Sequence, residues 1–420
     1  MARDAAGRPR VETSMKIDDF LNRMFRVGTL EATLPGGRIL HLGDGGGPHI
    51  ALTVTDRVTL ARIMAQPYMG AAEAYMDGRL TIQRGTLREL FELASRNLSP
   101  RPSGKKPGPL RRWWARNQIE YNSRQASRRN VAHHYDLSVD LYRNFLDDDL
   151  QYSCAYFENL NVTLDEAQAA KKRHILAKLD LRPGQRVLDI GCGWGGTALS
   201  IVGLTGAAVD GITLSSEQLE TARSRAEAAG VADRAKFSLT DYRDVAGPYD
   251  RIVSIGMFEH VGRPHYDEFF QKIADLLTDD GVALIHSIGT FDGPSATNPF
   301  TTKYIFPGAY VPALSEVLPS VERAGLRIDD IEILRLHYAH TLRRWLERFE
   351  ANRDKIRALY DERFCRMWEC YLAGAEMGFR FGGHMNFQLQ VTKRNDVLPI
   401  TRDYMADAER VLAEELKRAA

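Results

Sequence analysis

The chain predicts an α/β protein: a doubly wound sheet of seven strands with a helical insertion, preceded by a smaller α+β domain. Three observations predict it. From Thr163 onward, apolar runs of strand length alternate with helical stretches. One run ends in an acid and a glycine-rich turn, Val187-Leu-Asp-Ile-Gly-Cys-Gly-Trp-Gly-Gly196. A break, Leu98-Ser-Pro-Arg-Pro-Ser-Gly-Lys-Lys-Pro-Gly-Pro109, separates this pattern from what precedes it; its four prolines and two glycines cannot hold regular structure. At 420 residues the chain also exceeds what one core usually fills. The expected layout is therefore a domain at 1–98, a linker at 99–110 and the main domain at 111–420.

In order, residues 1–98 combine alternating runs such as Gly36-Gly-Arg-Ile-Leu-His-Leu42 with helices expected at 58–64 and 87–95. After the linker, Arg111-Arg-Trp-Trp114 and the arginines at 124–129 form a basic stretch with two tryptophans. It reads as a solvated helix face, or as a patch attracted to anionic lipid at about 1 kcal/mol per basic residue. Thr163-Leu-Asp-Glu166 is a capping box that opens a helix ending before Pro183-Gly184. Strands are expected at 186–190, 207–213, 235–239, 251–255, 282–288, 326–336 and 385–392, with helices between them. The largely helical insertion at 338–381 is expected to cover the sheet's open edge and shape a substrate cavity.

Composition narrows the function. Net charge is +1, so wholesale nucleic-acid binding is not implied. The four cysteines (Cys154, Cys192, Cys365, Cys370) form no metal-ligand pair. No early apolar segment resembles a signal peptide and none is long enough to span a membrane, so a reduced cytoplasmic location is expected, with a peripheral membrane role open.

The glycine turn reads as a nucleotide-type site at a strand's carboxyl end, where backbone amides approach a ligand closely. Gly191, Gly193 and Gly196 satisfy G-x-G-x-x-G, a weak dinucleotide signal by itself. A dinucleotide site wants an acid at the end of the second strand. Asp210 lies inside that strand, and its end is Thr213-Leu214. Asp189, just before the first glycine, instead fits the D-x-G-x-G of S-adenosylmethionine sites, which favours the methyl donor.

Asp189, Thr213, Asp241-Tyr242, Glu259 and His286 all fall at or just past strand carboxyl ends and should converge on one crevice. Each has a plainer reading. Ser215-Ser-Glu-Gln218 is itself a capping box, Tyr242 reads equally as packing, Glu259-His260 as an ion pair, and His286 as a core histidine. Their joint placement argues for a site.

At this point the residues resemble a family. Tyr152-Ser-Cys-Ala-Tyr-Phe157, the glycine turn, Gly211-Ile-Thr-Leu-Ser215, Asp241-Tyr-Arg-Asp244, Gly256-Met-Phe-Glu-His-Val-Gly262 and Asn298-Pro-Phe-Thr-Thr-Lys-Tyr-Ile-Phe-Pro307 are similar to the cyclopropane fatty acid synthases. These act on unsaturated acyl chains with S-adenosylmethionine and include the mycolic acid cyclopropane synthases. The resemblance covers roughly residues 130–395. Residues 1–98 resemble, more loosely, the extra domain of the phospholipid-acting branch.

The resemblance implies a methyltransferase-type (Rossmann-like) sheet and a reaction in which a cis alkene takes the sulfonium methyl and then loses a proton to close a ring. Bound bicarbonate would accept the proton, cradled by Cys154 and Ile288 through backbone groups and by Glu259, His286 and Tyr338 through side chains. Tyr338-Ala-His-Thr-Leu342 departs from the family pattern in carrying His340 where arginine is common. The methyl donor would lie on Tyr152, Ser153, Asp189, Gly191 and Gly193 at its methionine part, on Thr213, Leu214 and Gln218 at the ribose, and on Tyr242 at the adenine. Tyr304-Ile-Phe-Pro-Gly-Ala-Tyr-Val-Pro312 has the content for an acyl-tunnel wall, or for a loop packed on the core.

The reading that results is a peripheral enzyme at the inner membrane face acting on cis-unsaturated phospholipid chains, with no nucleic-acid partner. Its N-terminal domain is expected to position lipid or to form a homodimer. The alternatives are a fatty-acyl C-methyltransferase giving a methyl or methylene branch, a lipid-binding protein without catalysis, and a small-molecule methyltransferase, which would not need the bicarbonate residues.

Overall fold

The computed structural model describes residue 21, residues 25–98 and residues 137–419. The linker and the basic tryptophan-containing stretch lie outside them. The chain forms two compact units, which do not follow chain order: Met1–Lys106 with Phe349–Gly382, and Pro107–Arg348 with Gly383–Ala420.

The smaller unit contains strands β1 (Thr29–Thr33), β2 (Ile39–Leu42), β3 (His49–Val54) and β4 (Leu80–Arg84) in the order β2-β1-β3-β4. β1 and β3 run parallel and the other pairs antiparallel. Burial alternates along β1, β2 and β3, as the period of two requires for a sheet with one covered face. Both expected helices are present, as Arg57–Ala65 and Leu87–Leu98, the first capped by Asp56. A third, Pro67–Met76, begins on proline. From Phe349 on, the insertion belongs to this unit and not to the sheet unit whose edge it was expected to cover. Its helix Glu362–Arg380 places Glu376 in a bidentate pair with Arg88, at 2.8 Å to each oxygen.

The larger unit is the predicted sheet. β5 (Arg186–Ile190), β6 (Ala208–Thr213), β7 (Ala235–Leu239), β8 (Tyr249–Ile255), β9 (Leu277–Thr290), β10 (Arg327–Ile333) and β11 (His384–Thr392) take the order β10-β11-β9-β8-β5-β6-β7. Only β11 runs against the rest. Helices cover both faces, as near-continuous apolar strands demand. Leu188 and Ile285 join one core with Phe258, Phe269 and Phe387, whereas Val187 and Leu284 join the other with Ile175, Ile201 and Val209. The order reverses at β5, between β6 and β8, which opens a crevice at their carboxyl ends.

Candidate active site

One cavity occupies that crevice. It is lined from β5 and the glycine turn, the ends of β6 and β8, the turn after β7 and residues 150–153. All nine residues expected to hold the methyl donor line it: Tyr152, Ser153, Asp189, Gly191, Gly193, Thr213, Leu214, Gln218 and Tyr242.

The glycines have specific jobs. Gly191 (φ +82°) and Gly193 (φ +55°) take left-handed conformations that other residues adopt only with strain. A Cβ on Gly191 would lie 2.9 Å from that of Met257. A Cβ on Gly196 would lie 2.4 Å from both Asp149 Oδ2 and Gln151 Nε2. Bare backbone thus lets the segment after β8 and residues 149–153 close over the turn.

Asp189, next to last in β5, is buried with Oδ2 lacking a hydrogen-bond partner among the described residues. Burial pushes its carboxyl up to about 7, and the nearby Lys171 charge offsets this only in part. Ser215 caps helix Ser216–Ala228 by accepting from the Gln218 amide, but the Gln218 side chain does not reach back to complete a box. Its Oε1 instead accepts from Thr213 Oγ1 (2.8 Å) at the cavity wall, so capping does not account for this side chain. Tyr242 packs edge-on against Phe269, with ring centroids 5.2 Å apart. The Arg243 guanidinium lies over the Tyr242 ring, 5.3 Å from its centroid, and is paired with Asp241 through two hydrogen bonds.

Several lining residues were not anticipated. Gln151, Trp194, Arg243, Met257 and His260 all face the cavity. Beneath them lies Lys171, fully buried on helix Leu164–Lys178, donating to Gln151 Oε1 and to Ser153 Oγ (3.1 Å). Burial brings its ammonium down to about 8. In the sequence it stands within Lys171-Lys-Arg-His174, which reads as a solvated face.

An aromatic wall continues from the cavity. Tyr152 packs on Trp345 (5.1 Å between centroids) and Phe306 (6.5 Å), and Tyr142 on Trp194 (4.8 Å). Phe306 also meets His260 (5.8 Å), whose ring burial lowers to about 4 and so keeps neutral at physiological pH. The aromatic loop after Asn298 therefore contributes to the wall through Phe306, while Ile305 and Tyr310 are packed inward.

The residues expected to cradle the proton acceptor sit on segments that adjoin the cavity lining or the aromatic wall. Glu259 sits in the turn Phe258–His260, between the lining residues Met257 and His260. Its Oε1 accepts from the Ile288 amide (2.6 Å); its Oε2 is buried without a partner among the described residues. Burial pushes the carboxyl up to about 7. His286, on β9, pairs in register with the lining residue Ile255, and its carbonyl accepts from the Gly256 amide (2.8 Å). Its Nδ1 meets Gln388 Nε2 (3.1 Å), and its Nε2 is buried without a partner among the described residues. Cys154 follows the lining residue Ser153, and burial raises its thiol, which favours the neutral form. The next amide, Ala155, donates to Thr341 Oγ1 (3.0 Å), which ties this segment to helix His337–Ala351. Tyr338 stands on that helix, edge-on to Trp345 (5.8 Å).

Comparison with known proteins identifies the family. The family model for mycolic acid cyclopropane synthetase matches residues 122–389. The chain belongs to this family. Cyclopropane-fatty-acyl-phospholipid synthase of Escherichia coli (strain K12) is 41% identical over 247 residues, 59% of this chain and 63% of the relative. Tuberculostearic acid methyltransferase of Mycobacterium tuberculosis is 38% identical over 343 residues, 76% and 78% of the two chains. The crystal structure of a mycolic acid cyclopropane synthase complexed with SAH and CTAB superposes with a TM-score of 0.60 at 36% identity, over 63% of this chain and 97% of that one. As a cyclopropane synthetase family member the protein is an S-adenosylmethionine-dependent methyltransferase acting on lipids.

Proposed function

We propose that the protein converts cis-unsaturated acyl chains of membrane phospholipids to cyclopropane chains, with bicarbonate as proton acceptor. One observation favours this most: Glu259 Oε2 and His286 Nε2 are both buried, both lack a protein partner among the described residues, and both sit on backbone joined to the cavity wall. Buried polar atoms are rarely left so. An acceptor and a ring nitrogen together suit a small anion that both donates and accepts. When bound, S-adenosylmethionine supplies an electrophilic methyl, and bicarbonate a proton acceptor too poor a nucleophile to compete for it.

The chain's own groups have separate tasks in this reading. Tyr152, Ser153, Asp189, Gly191 and Gly193 hold the methionine part of the donor; Thr213, Leu214 and Gln218 its ribose; Tyr242 its adenine. Glu259 orients the anion with Oε2 while the Ile288 amide fixes Oε1, so Ile288 acts through Glu259. Cys154 adds backbone groups and Tyr338 its hydroxyl. Tyr152, Phe306, Trp194 and Trp345 keep water from a developing cation, which water would divert to an alcohol. Residues 1–98 would position lipid or form a homodimer, with 99–110 as linker and 111–348 together with 383–420 as the catalytic part, at the inner membrane face. No helix among the described residues is long and apolar enough to cross a membrane.

A second reading, C-methylation to a branch, is favoured by the relative named tuberculostearic acid methyltransferase, which matches 76% of this chain. A trideuteromethyl donor separates the two. Ring closure loses one deuteron and consumes the olefin. A methylene branch also loses one deuteron but keeps a C=C signal, and a methyl branch formed by proton loss from the chain keeps both a C=C and all three deuterons.

A further inference from the structure

Gln388 of β11 stands opposite His286 of β9 in the antiparallel register, and both side chains are buried. Gln388 Nε2 lies 3.1 Å from His286 Nδ1. The amide's other end is held by Lys178, whose Nζ lies 2.7 Å from Gln388 Oε1. An ammonium only donates, so the oxygen must face Lys178 and the NH2 must face the imidazole. A flipped amide would set donor against donor at Lys178. Lys178 is anchored in turn by Glu332, which also meets His174 Nε2 (2.6 Å), and His174 Nδ1 meets Glu409. A ring nitrogen that accepts a hydrogen bond holds no proton.

We propose that Gln388, aligned by Lys178, is a positioning residue that fixes neutral His286 in the Nε2–H tautomer. The ring's partnerless nitrogen is then a hydrogen-bond donor, which is what an anion beside it requires. Burial and the neighbouring Lys171, Lys178 and His174 charges hold this imidazole well below its usual range, so it does not become the imidazolium. The use made of the Nε2–H rests on the cyclopropane-forming reading; the tautomer does not.

The test is a two-bond 1H–15N spectrum of the full-length protein labelled at its 11 histidines, with His286 assigned by its loss in His286→Gln. The expected result is a protonated-type Nε2 and an unprotonated-type Nδ1. In Gln388→Glu the carboxylate keeps its hold on Lys178 but accepts from the ring, so the proton should move to Nδ1. Gln388→Met should give a mixture of tautomers, and a native-like backbone spectrum confirms folding of each. Turnover should fall roughly 10- to 100-fold in both, the usual cost of losing a partner that orients a functional histidine, with KM for S-adenosylmethionine unchanged. An Nδ1–H tautomer in the wild type, or no change in Gln388→Glu, overturns the proposal. Titration with sodium bicarbonate provides a separate arm. Movement of the His286 Nε2 signal supports the anion reading, whereas its failure to move with the tautomer as expected defeats that reading and leaves the Gln388 clamp standing.

Discussion

Burial pushes the carboxyls of Glu259 and Asp189 each up to about 7, from ordinary values of 4.5 and 3.8. Below about pH 4 both are neutral whether the chain is folded or not. Between there and about 7 the unfolded chain ionises while the folded protein keeps its protons, so stability is lost as pH rises through this window. Glu259→Gln and Asp189→Asn should therefore each be more stable than wild type at pH 8, by on the order of 2–4 kcal/mol, with the gap closing by pH 4. Both should still lose function. Glu259→Gln should cut turnover about 100-fold with the donor's affinity intact, and Asp189→Asn should weaken donor binding. Urea denaturation at the two pH values together with calorimetry checks both; a wild type more stable than Glu259→Gln at pH 8 would contradict the assignment of Oε2 as an unsatisfied buried atom. These acids were legible in the sequence because each lies near the end of a strand or follows one. Lys171 and Gln388 were not, since their burial depends on partners far away in the chain.

Among the elements, helix Leu164–Lys178 shows how local rules and long-range packing divide. Its start was readable: Thr163 accepts from the Glu166 amide and Glu166 reaches back to the Thr163 amide. Its buried face was not, because Lys171, His174 and Lys178 are polar and lie inside. Thr163→Ala should cost about 1 kcal/mol and leave donor binding unchanged. Lys171→Met should do the reverse, since Gln151 and Ser153 lose their common donor: donor affinity should fall about tenfold, close to one hydrogen bond's worth, in a folded protein. The glycine turn gives a harsher case. Gly196→Ala would drive its methyl into Asp149 and Gln151, displacing the segment that supplies Tyr152 and Ser153; calorimetry should find no donor binding, and retained binding would refute the close approach. The seven strands fall within a few residues of their expected positions because each alternates with a helix and ends at a turn. β9 runs longer, from Leu277 to Thr290.

For the molecule as a whole, sequence order misled in one respect. A helical stretch between the last two strands suggested a cover for the sheet, yet Phe349–Gly382 belongs with the N-terminal strands. No local pattern reports this, because its marks are pairings remote in sequence: Arg88 with Glu376, Arg363 with Asp77, and Tyr75 with Glu369. Glu376 is fully buried, so Arg88→Met should destabilise this unit by on the order of 2 kcal/mol, less than a wholly stranded charge costs because Arg380 remains beside it. A chain lacking residues 1–98 should likewise fail to keep helix Glu362–Arg380 protected from hydrogen exchange. Vesicles of cis-monounsaturated phospholipid, incubated with the protein, S-adenosylmethionine and bicarbonate, should yield acyl chains heavier by one methylene, with the olefinic protons lost and cyclopropyl protons gained by NMR. The same chains carrying a methyl or methylene branch without ring protons would contradict the account.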